Sequence, residues 1–375
     1  MKKIEFTGGR LPPESLPVEK LVAAATDALL NHRPELIAYP FQTNIQDGII
    51  SLCKERYEKR EGSNKVKESE ILITNGSKQG IFLVMLELSQ PGDVVLIDET
   101  SYGGSISTFK EFGRELVGIP MDENGICTDK IEPIIKKVHG KGKTVRIIYT
   151  IPSHHNPTGA ILPLERRKQL IEIAEKHKIA ILEDDCYGDV VFDNVAVPPS
   201  LYSLSDRAEI FYVGSFSKIL GPGFRLGCLF ARGKYFPSIK SKKDLMDGGS
   251  NPFGCMTVVG ALKDNLWEHI RKHNAIIKKK LDLVCDTLAK STAGMDIAWR
   301  KPHGGIFLWI RLPETINMGT LRTLADTEGV DYSPGNSFRP DNKEIKYIRL
   351  SYAHLPLKDI EEGVKILAGC IRKAS

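Results

Sequence analysis

Five short apolar runs in this 375-residue chain are each followed by side chains able to do chemistry. ILIT (71–74) leads into Asn75-Gly76-Ser77-Lys78. VVLI (94–97) leads into Asp98-Glu99-Thr100-Ser101-Tyr102. VRIIYT (145–150) leads into Ile151-Pro152-Ser153-His154-His155-Asn156-Pro157-Thr158-Gly159. IAIL (179–182) leads into Glu183-Asp184-Asp185-Cys186-Tyr187. IFYV (210–213) leads into Gly214-Ser215-Phe216-Ser217-Lys218 and then Gly221-Pro222-Gly223-Phe224-Arg225. Open α/β sheets bind ligands outside the carboxyl ends of their strands. One polar strand end is ordinary loop composition, but five on one sheet edge compose a site.

The residue types point to one kind of ligand. Ser77, Ser215 and Ser217 supply hydroxyl donors, Arg225 a bidentate fork and Lys78 a point charge. A helix opening near Ser77 adds free backbone N–H groups and a positive dipole end, so together they describe a phosphate pocket. Asp184 can hold a protonated ring nitrogen, with Asp185 as its competitor; the three-residue step to Tyr187 favours Asp184. Asn156 and Tyr187 can donate to an oxyanion, and Tyr102 offers a face for stacking. Lys218 is an amine in the middle of the set, as Schiff-base chemistry requires. A phosphorylated pyridine aldehyde, pyridoxal phosphate, uses all of these at once.

The elements that must position these groups are legible as patterns. The five runs, with LVGI (116–119) and LGCLFA (226–231), are mostly continuous and apolar, as strands buried on both faces are. Helical periodicity lies between them near 77–89, 104–113, 128–138 and 164–177. Strands alternating with helices predict an α/β fold with a mostly parallel, doubly covered sheet. After residue 255 one long helix is predicted over 256–288, from Leu262, Leu266, Ile270, Ile277, Leu281, Val284 and Leu288. A smaller α+β region follows: FLWIRL (307–312), a helix near 319–328, IKYIRLSY (345–352) and a final helix striped by Ile360, Val364, Leu367 and Ile371. The predicted division is an N-terminal arm and helix (1–38), packing on the small domain or a partner, a large domain (39–265), and a linking helix with a small domain (266–375).

Composition narrows the class. Apolar residues are 41% and charged residues 26%, which excludes disordered, collagenous and coiled-coil chains. With 52 basic and 47 acidic side chains the net charge is +5, which asks for neither nucleic acid nor an anionic membrane. Seven scattered cysteines form no CxxC pair and read as reduced thiols in the cytoplasm. No apolar run reaches membrane-span length, and the N-terminus does not read as a signal peptide. GKGKT (140–144) lacks the first P-loop glycine, and GPGFRLG (221–227) has the wrong spacing for GxGxxG. Glu268-His269 with His273 is not a zinc HExxH, since the glutamate precedes the first histidine. It reads as an exposed helix face. His154-His155 finds no partner cluster and reads as lining the cofactor loop or touching substrate, so no metal is expected.

The motifs NPTG (156–159), DDCY (184–187), SFSKILGPGFRLG (215–227), PHGGIFLWIRLP (302–313), SPGNSF (333–338) and YIRLSY (347–352) run in an order that resembles the class I/II aminotransferases. These are fold-type I pyridoxal-phosphate enzymes, and the match spans nearly the whole chain. The opening FTGGRLPPESLP is similar to that of the 2-aminoadipate, aromatic and multi-substrate branch. The resemblance implies a three-layer α/β/α large domain and a smaller α+β C-terminal domain. It implies transfer of an amino group from an L-amino acid to a 2-oxo acid, in two half-reactions through pyridoxamine phosphate. It makes Lys218 the Schiff-base lysine and proton shuttle, and Asp184 the partner of the ring nitrogen. Asn156 and Tyr187 would then bond the phenolic oxygen, with Tyr102 on the ring. Ser77, Lys78, Ser215, Ser217 and Arg225 would hold the phosphate, and Arg349 the substrate carboxylate. The enzymes are typically homodimers with shared sites, and Tyr39 would reach the neighbouring subunit's phosphate.

This chain departs from the family pattern in two places. Leu52-Cys53 stands where a Leu-Arg pair is usual, and the helix opening reads Gly76-Ser77-Lys78-Gln79 with an added lysine. A β-eliminating lyase on the same fold would carry identical cofactor residues. A ligand-sensing regulator would need a DNA-binding module, for which the residues ahead of the arm leave no room. Arg10 in the arm could meet an acidic substrate tail, but reads more simply as solvated.

Overall fold

The computed structural model describes residues 3–40, 44–62, 66–193 and 195–375. Residues 41–43, between Tyr39 and the Leu52-Cys53 pair, lie outside them. Two sheets organise the chain. The larger has seven strands in the order 71–74, 227–230, 210–215, 180–185, 145–150, 94–98, 115–119. All pairings are parallel except those of Gly227–Phe230, which runs antiparallel to both its neighbours. Ile71–Thr74, Val94–Asp98, Ala180–Asp185 and Ile210–Ser215 are buried at every residue, which explains their unalternating hydrophobicity. Each of the seven predicted strands is present, within two residues at either end except that the 179–182 run extends three residues further, to Asp185.

Register puts the chemistry on one edge. Gly227 pairs with both Thr74 and Ser215. The start of the antiparallel strand therefore lies beside the carboxyl ends of its two neighbours. Arg225, just before it, is delivered to the same edge as Ser77 and Ser217.

The smaller sheet has five strands in the order 4–6, 330–334, 347–351, 307–311, 298–299. Its edge strand Ile4–Phe6 comes from the N-terminal arm and pairs in parallel with Val330–Pro334. Phe6 is fully buried against the final helix Leu357–Ala374, where Gly363 makes room: a Cβ there would fall 2.6 Å from the ring. Sequence patterning missed this strand, because three residues are too few to show a period. The helix expected within 1–38 is Val18–Asn31, whereas the helices Ile45–Glu61 and Tyr235–Asp247 were missed.

The helix predicted over 256–288 is two helices, Pro252–Leu262 and Leu266–Ser291. The break falls at Lys263-Asp264-Asn265, where Asn265 leaves helical geometry at φ −133° and ψ 8°. Leu262 and Leu266 on either side are both buried, so the chain turns without exposing either apolar face. Helix Val18–Asn31 crosses Pro252–Leu262 closely, since a Cβ on Gly260 would lie 2.8 Å from that of Ala24.

Candidate active site

A cavity of about 320 Å³ opens where the large sheet's carboxyl edge meets the small sheet. Its wall is built from the strand ends singled out by sequence, and each group arrives for a local reason. Asp184 and Asp185 are consecutive in one strand, so their side chains point to opposite faces. Asp184 faces the cavity. Its Oδ2 accepts from the Tyr149 hydroxyl at 2.7 Å, and that hydroxyl accepts from Ser105 at 2.8 Å. Its Oδ1 is buried without a hydrogen-bond partner among the described residues, and burial raises its pKa. Asp185 faces away, paired to Arg60 at 2.5 Å and accepting from Tyr212 at 2.8 Å. The pleat thus puts Asp184, and not Asp185, on the cavity wall.

Lys218 projects into the same cavity from the turn after Ile210–Ser215. Its Nζ donates to the Gly9 carbonyl at 2.8 Å and lies 5.8 Å from the centre of the Tyr187 ring. Burial, aided by the Arg349 charge, lowers its pKa, which favours the neutral, nucleophilic amine. The Ser215 hydroxyl accepts from the Ser217 N–H at 3.0 Å and so shapes that turn.

The wall at the helix start is built on Gly76. At φ 78° and ψ 166° it occupies a conformation essentially reserved for glycine, and it starts the helix Ser77–Leu88. The first turn of that helix leaves its N–H groups unused within the helix. Arg225, itself at φ 52°, crosses over this start and donates from Nη2 to the Asn75 carbonyl at 2.7 Å. A Cβ on Gly76 would fall 2.8 Å from that same Nη2. Ser77 and Lys78 reach the cavity wall, Lys78 from an exposed position at the rim.

The opposite wall carries Arg349, from the small-sheet strand Tyr347–Ser351. Its guanidinium sits between the rings of Phe307 and Phe338, 4.0 and 4.6 Å from their centres. Nη1 donates to Asn156 Oδ1 at 2.9 Å, and Nη2 to the Gly8 carbonyl at 3.1 Å. Nε is buried and unpartnered among the described residues. Burial pushes its pKa down to about 10. Asn156 in turn donates to the Tyr187 hydroxyl at 3.4 Å. Tyr102 is about one-third exposed at the mouth, and burial of the remainder raises its pKa.

The predicted residues Ser77, Lys78, Tyr102, Asn156, Asp184, Tyr187, Ser215, Ser217, Lys218, Arg225 and Arg349 thus share one cavity. Tyr39 does not join it; it is 66% exposed. Nor do the two histidines expected to line the cofactor loop or touch substrate. His155 is buried, bonded to Asp98 at 3.0 Å and Thr158 at 2.9 Å, and props the Asn156 loop from behind. His154 is buried against Gly304 and Gly305, with its pKa pushed down to about 4 by desolvation. Arg10 is exposed and pairs with Glu5 at 2.9 Å.

Sequence reasoning missed three contributions. The arm's Gly8 and Gly9 cover the site with carbonyls; the FTGGR stretch was the available signal. Tyr149, hidden inside an apolar strand, holds Asp184. Arg56 donates to the Ser215 carbonyl at 2.8 Å and ion-pairs with Asp189, both fully buried. Cys53 is buried in the core, and Arg56, three residues on in the same helix, is buried as well. Among the described residues no group of three or more His, Cys, Asp or Glu is arranged to hold a metal, and no helix is long and apolar enough to cross a membrane.

The pyridine aldehyde expected from the residues fits this geometry. The unpartnered Asp184 oxygen answers a ring N–H, Lys218 answers the aldehyde, and the helix start with Arg225 answers a phosphate. Known proteins point the same way. The profile of the family described as aminotransferase class I and II matches residues 2–367. The aromatic-amino-acid aminotransferase 1 of Thermococcus litoralis is 30% identical, over 99% of this chain and 88% of the relative. The structure of Pyrococcus horikoshii kynurenine aminotransferase, in complex with PMP, superposes at TM-score 0.91 and 26% identity, covering 100% of this chain and 91% of that one. The α-aminoadipate aminotransferase of Thermus thermophilus, complexed with N-(5'-phosphopyridoxyl)-L-leucine, gives TM-score 0.89 and 28% identity, over 99% and 92% of the two chains.

Proposed function

Because the chain belongs to the class I and II aminotransferases, and so transfers amino groups with pyridoxal phosphate, we propose that the Lys218 cavity is its active site and that each residue lining it has a distinct role. Bound there, pyridoxal phosphate supplies an aldehyde that condenses with amines and a protonated ring that withdraws electrons from the substrate Cα. Lys218 is the amine that holds the group, and the base that carries the proton at that carbon. Asp184 keeps the ring nitrogen protonated, with Tyr149 orienting the carboxylate. Asn156 and Tyr187 bond the phenolic oxygen, and Tyr102 covers the ring at the mouth. Ser77, Lys78, Ser215, Ser217 and Arg225 hold the phosphate at the helix start. Arg349 reads the substrate carboxylate with a planar fork, a task to which lysine is unsuited. The single observation that carries the assignment is the convergence of Lys218, the unpartnered Asp184 oxygen and Arg349 on one cavity.

The relatives act on aromatic amino acids, kynurenine and 2-aminoadipate by their names, and we place this chain's donor in the same range. We assign a homodimer with shared sites, Tyr39 serving the neighbouring subunit's phosphate. Support comes from large apolar side chains left on the surface: Val22, Leu29, Leu30 and Ile37 on and after the first helix, and Leu245 on the helix Tyr235–Asp247, all more than half exposed. The division into 1–38, 39–265 and 266–375 is supported by the two sheets, and a cytoplasmic location by seven free cysteines.

The test is an absorbance titration of the purified holoenzyme with single amino acids and no oxo acid. Loss of the cofactor's visible band, restored by a 2-oxo acid, is expected. A band that persists while ammonia and a 2-oxo acid accumulate would refute transamination in favour of a lyase.

A further inference from the structure

The helix Leu266–Ser291 passes behind the turn that carries Lys218 and meets it with two imidazoles. His269 and His273 are four residues apart, so they stand on one helix face. Their rings are stacked, with centroids 6.0 Å apart. Nε2 of His273 lies 3.0 Å from the carbonyl oxygen of Lys218, and Nε2 of His269 lies 2.5 Å from that of Ile219. A carbonyl only accepts, so each Nε2 carries the proton and donates it. Burial lowers the pKa of both rings, that of His273 to about 4. Each is therefore neutral at pH 7 and has a single N–H, which is committed to this turn.

The turn needs these donors. The N–H groups of Ile219, Leu220 and Gly221 all point to the Phe216 carbonyl, at 3.2, 2.9 and 3.4 Å. That leaves the carbonyls of Lys218 and Ile219 to be satisfied from outside. A buried carbonyl without a donor costs about 1–3 kcal/mol. The same helix ties down two further segments. Asn274 donates to the carbonyls of Asp189 and Val191, beyond Tyr187, at 2.7 and 3.3 Å. Lys280 donates to the carbonyl of Ala353, beyond Arg349, at 2.8 Å. One helix thus holds the backbones that present Lys218, Tyr187 and Arg349.

We propose that His273, backed by His269, is a positioning residue for Lys218: its Nε2–H holds the Lys218 carbonyl, and so sets the direction in which the side chain enters the cavity. The inference rests on the assignment of Lys218 as the amine that holds the cofactor. Once Nζ is tied to the cofactor, the lysine stem is held at both ends, and a shift of its backbone can no longer be absorbed by free rotation of the stem. A displacement of about 1 Å at a reacting centre can cost ~100-fold in rate.

The experiment compares wild-type, His273→Phe and His273→Gln holoenzymes by visible circular dichroism of the bound cofactor, by kcat and KM, and by thermal unfolding. Phe fills the space without a donor, whereas Gln offers an amide N–H. The Phe variant is expected to change the dichroic band and to lose about tenfold or more in kcat with KM little changed. Gln is expected to restore much of both. A Phe variant that is less stable, but keeps the wild-type band and wild-type kcat per folded protein, would overturn the proposal and leave the histidines a packing role. Should the Phe variant not fold, His273→Asn, whose amide is one bond shorter than that of Gln, is read in the same way. Borohydride reduction and peptide mapping of the wild type separate the two levels. Cofactor fixed to Lys218 leaves the variants to decide, and cofactor fixed elsewhere overturns the lysine assignment and this inference with it.

Discussion

Replacing Asp184 and Asp185 one at a time by asparagine should damage two different properties. Asp184 presents one carboxylate oxygen to Tyr149 and one, unpartnered, to the cavity. Asparagine keeps the shape and can still accept from Tyr149, but it offers no charge to a protonated ring. A hydrogen bond to a charged group contributes about 1.5–3 kcal/mol, so cofactor affinity should fall roughly 10–100-fold. The cofactor-free protein should not suffer. The folded Asp184 carboxyl has its pKa raised above the ordinary 3.8, chiefly by burial. Such a group favours the fold in its protonated form; that contribution is complete below about 3.8 and is lost as pH rises through the folded value. At pH 7 the ionised group therefore weakens the empty fold, and Asp184→Asn should equal or exceed wild type in stability, by a margin that shrinks towards pH 4.

Asp185 is the opposite case. It is buried against Arg60 at 2.5 Å, and breaking a buried pair by removing one partner destabilises by about 3–5 kcal/mol. Asp185→Asn should unfold at distinctly lower urea concentration, yet bind cofactor, where folded, almost as wild type does. The assays are equilibrium cofactor titration followed by absorbance, and urea unfolding of the cofactor-free proteins at pH 7 and pH 4. The reasoning fails if Asp185→Asn is the variant that loses affinity, or if Asp184→Asn destabilises the empty protein as much as Asp185→Asn does.

Other substitutions probe the remaining walls. Lys218→Ala should retain cofactor through the phosphate pocket but show no bleaching with amino acids; wild-type turnover in that variant would remove Lys218 from the chemistry. Arg349→Lys, which keeps charge but loses the fork, should raise KM for the amino acid about 10-fold or more at unchanged cofactor affinity, as steady-state kinetics would show. Gly76→Ala places a Cβ 2.8 Å from Arg225 Nη2 in a backbone conformation costing about 1–3 kcal/mol for a side-chain residue. It should weaken cofactor binding and lower the melting temperature together, and an unchanged dissociation constant would contradict the phosphate assignment.

The linear chain already carried most of this site, because its parts come directly after buried strands. A strand covered on both faces leaves an unbroken apolar run, and the residues just past that run must lie on the ligand edge of a parallel sheet. That is why Ser77, Tyr102, Asn156, Asp184 and Lys218 could be named without coordinates. Tertiary structure decided whatever depends on a partner distant in sequence. The pleat, with Arg60 and Tyr212 on the far face, separated Asp184 from Asp185. The pairing of Ile4–Phe6 with Val330–Pro334 brought the Gly8 and Gly9 carbonyls over Arg349 and Lys218. The break at 263–265 redirected a helix whose apolar spacing had looked continuous, and His269 and His273, which read as an exposed helix face, lie buried behind the lysine. Hydrophobic periodicity reports only which face of an element is buried; what that face is buried against is settled by packing between elements far apart in the chain.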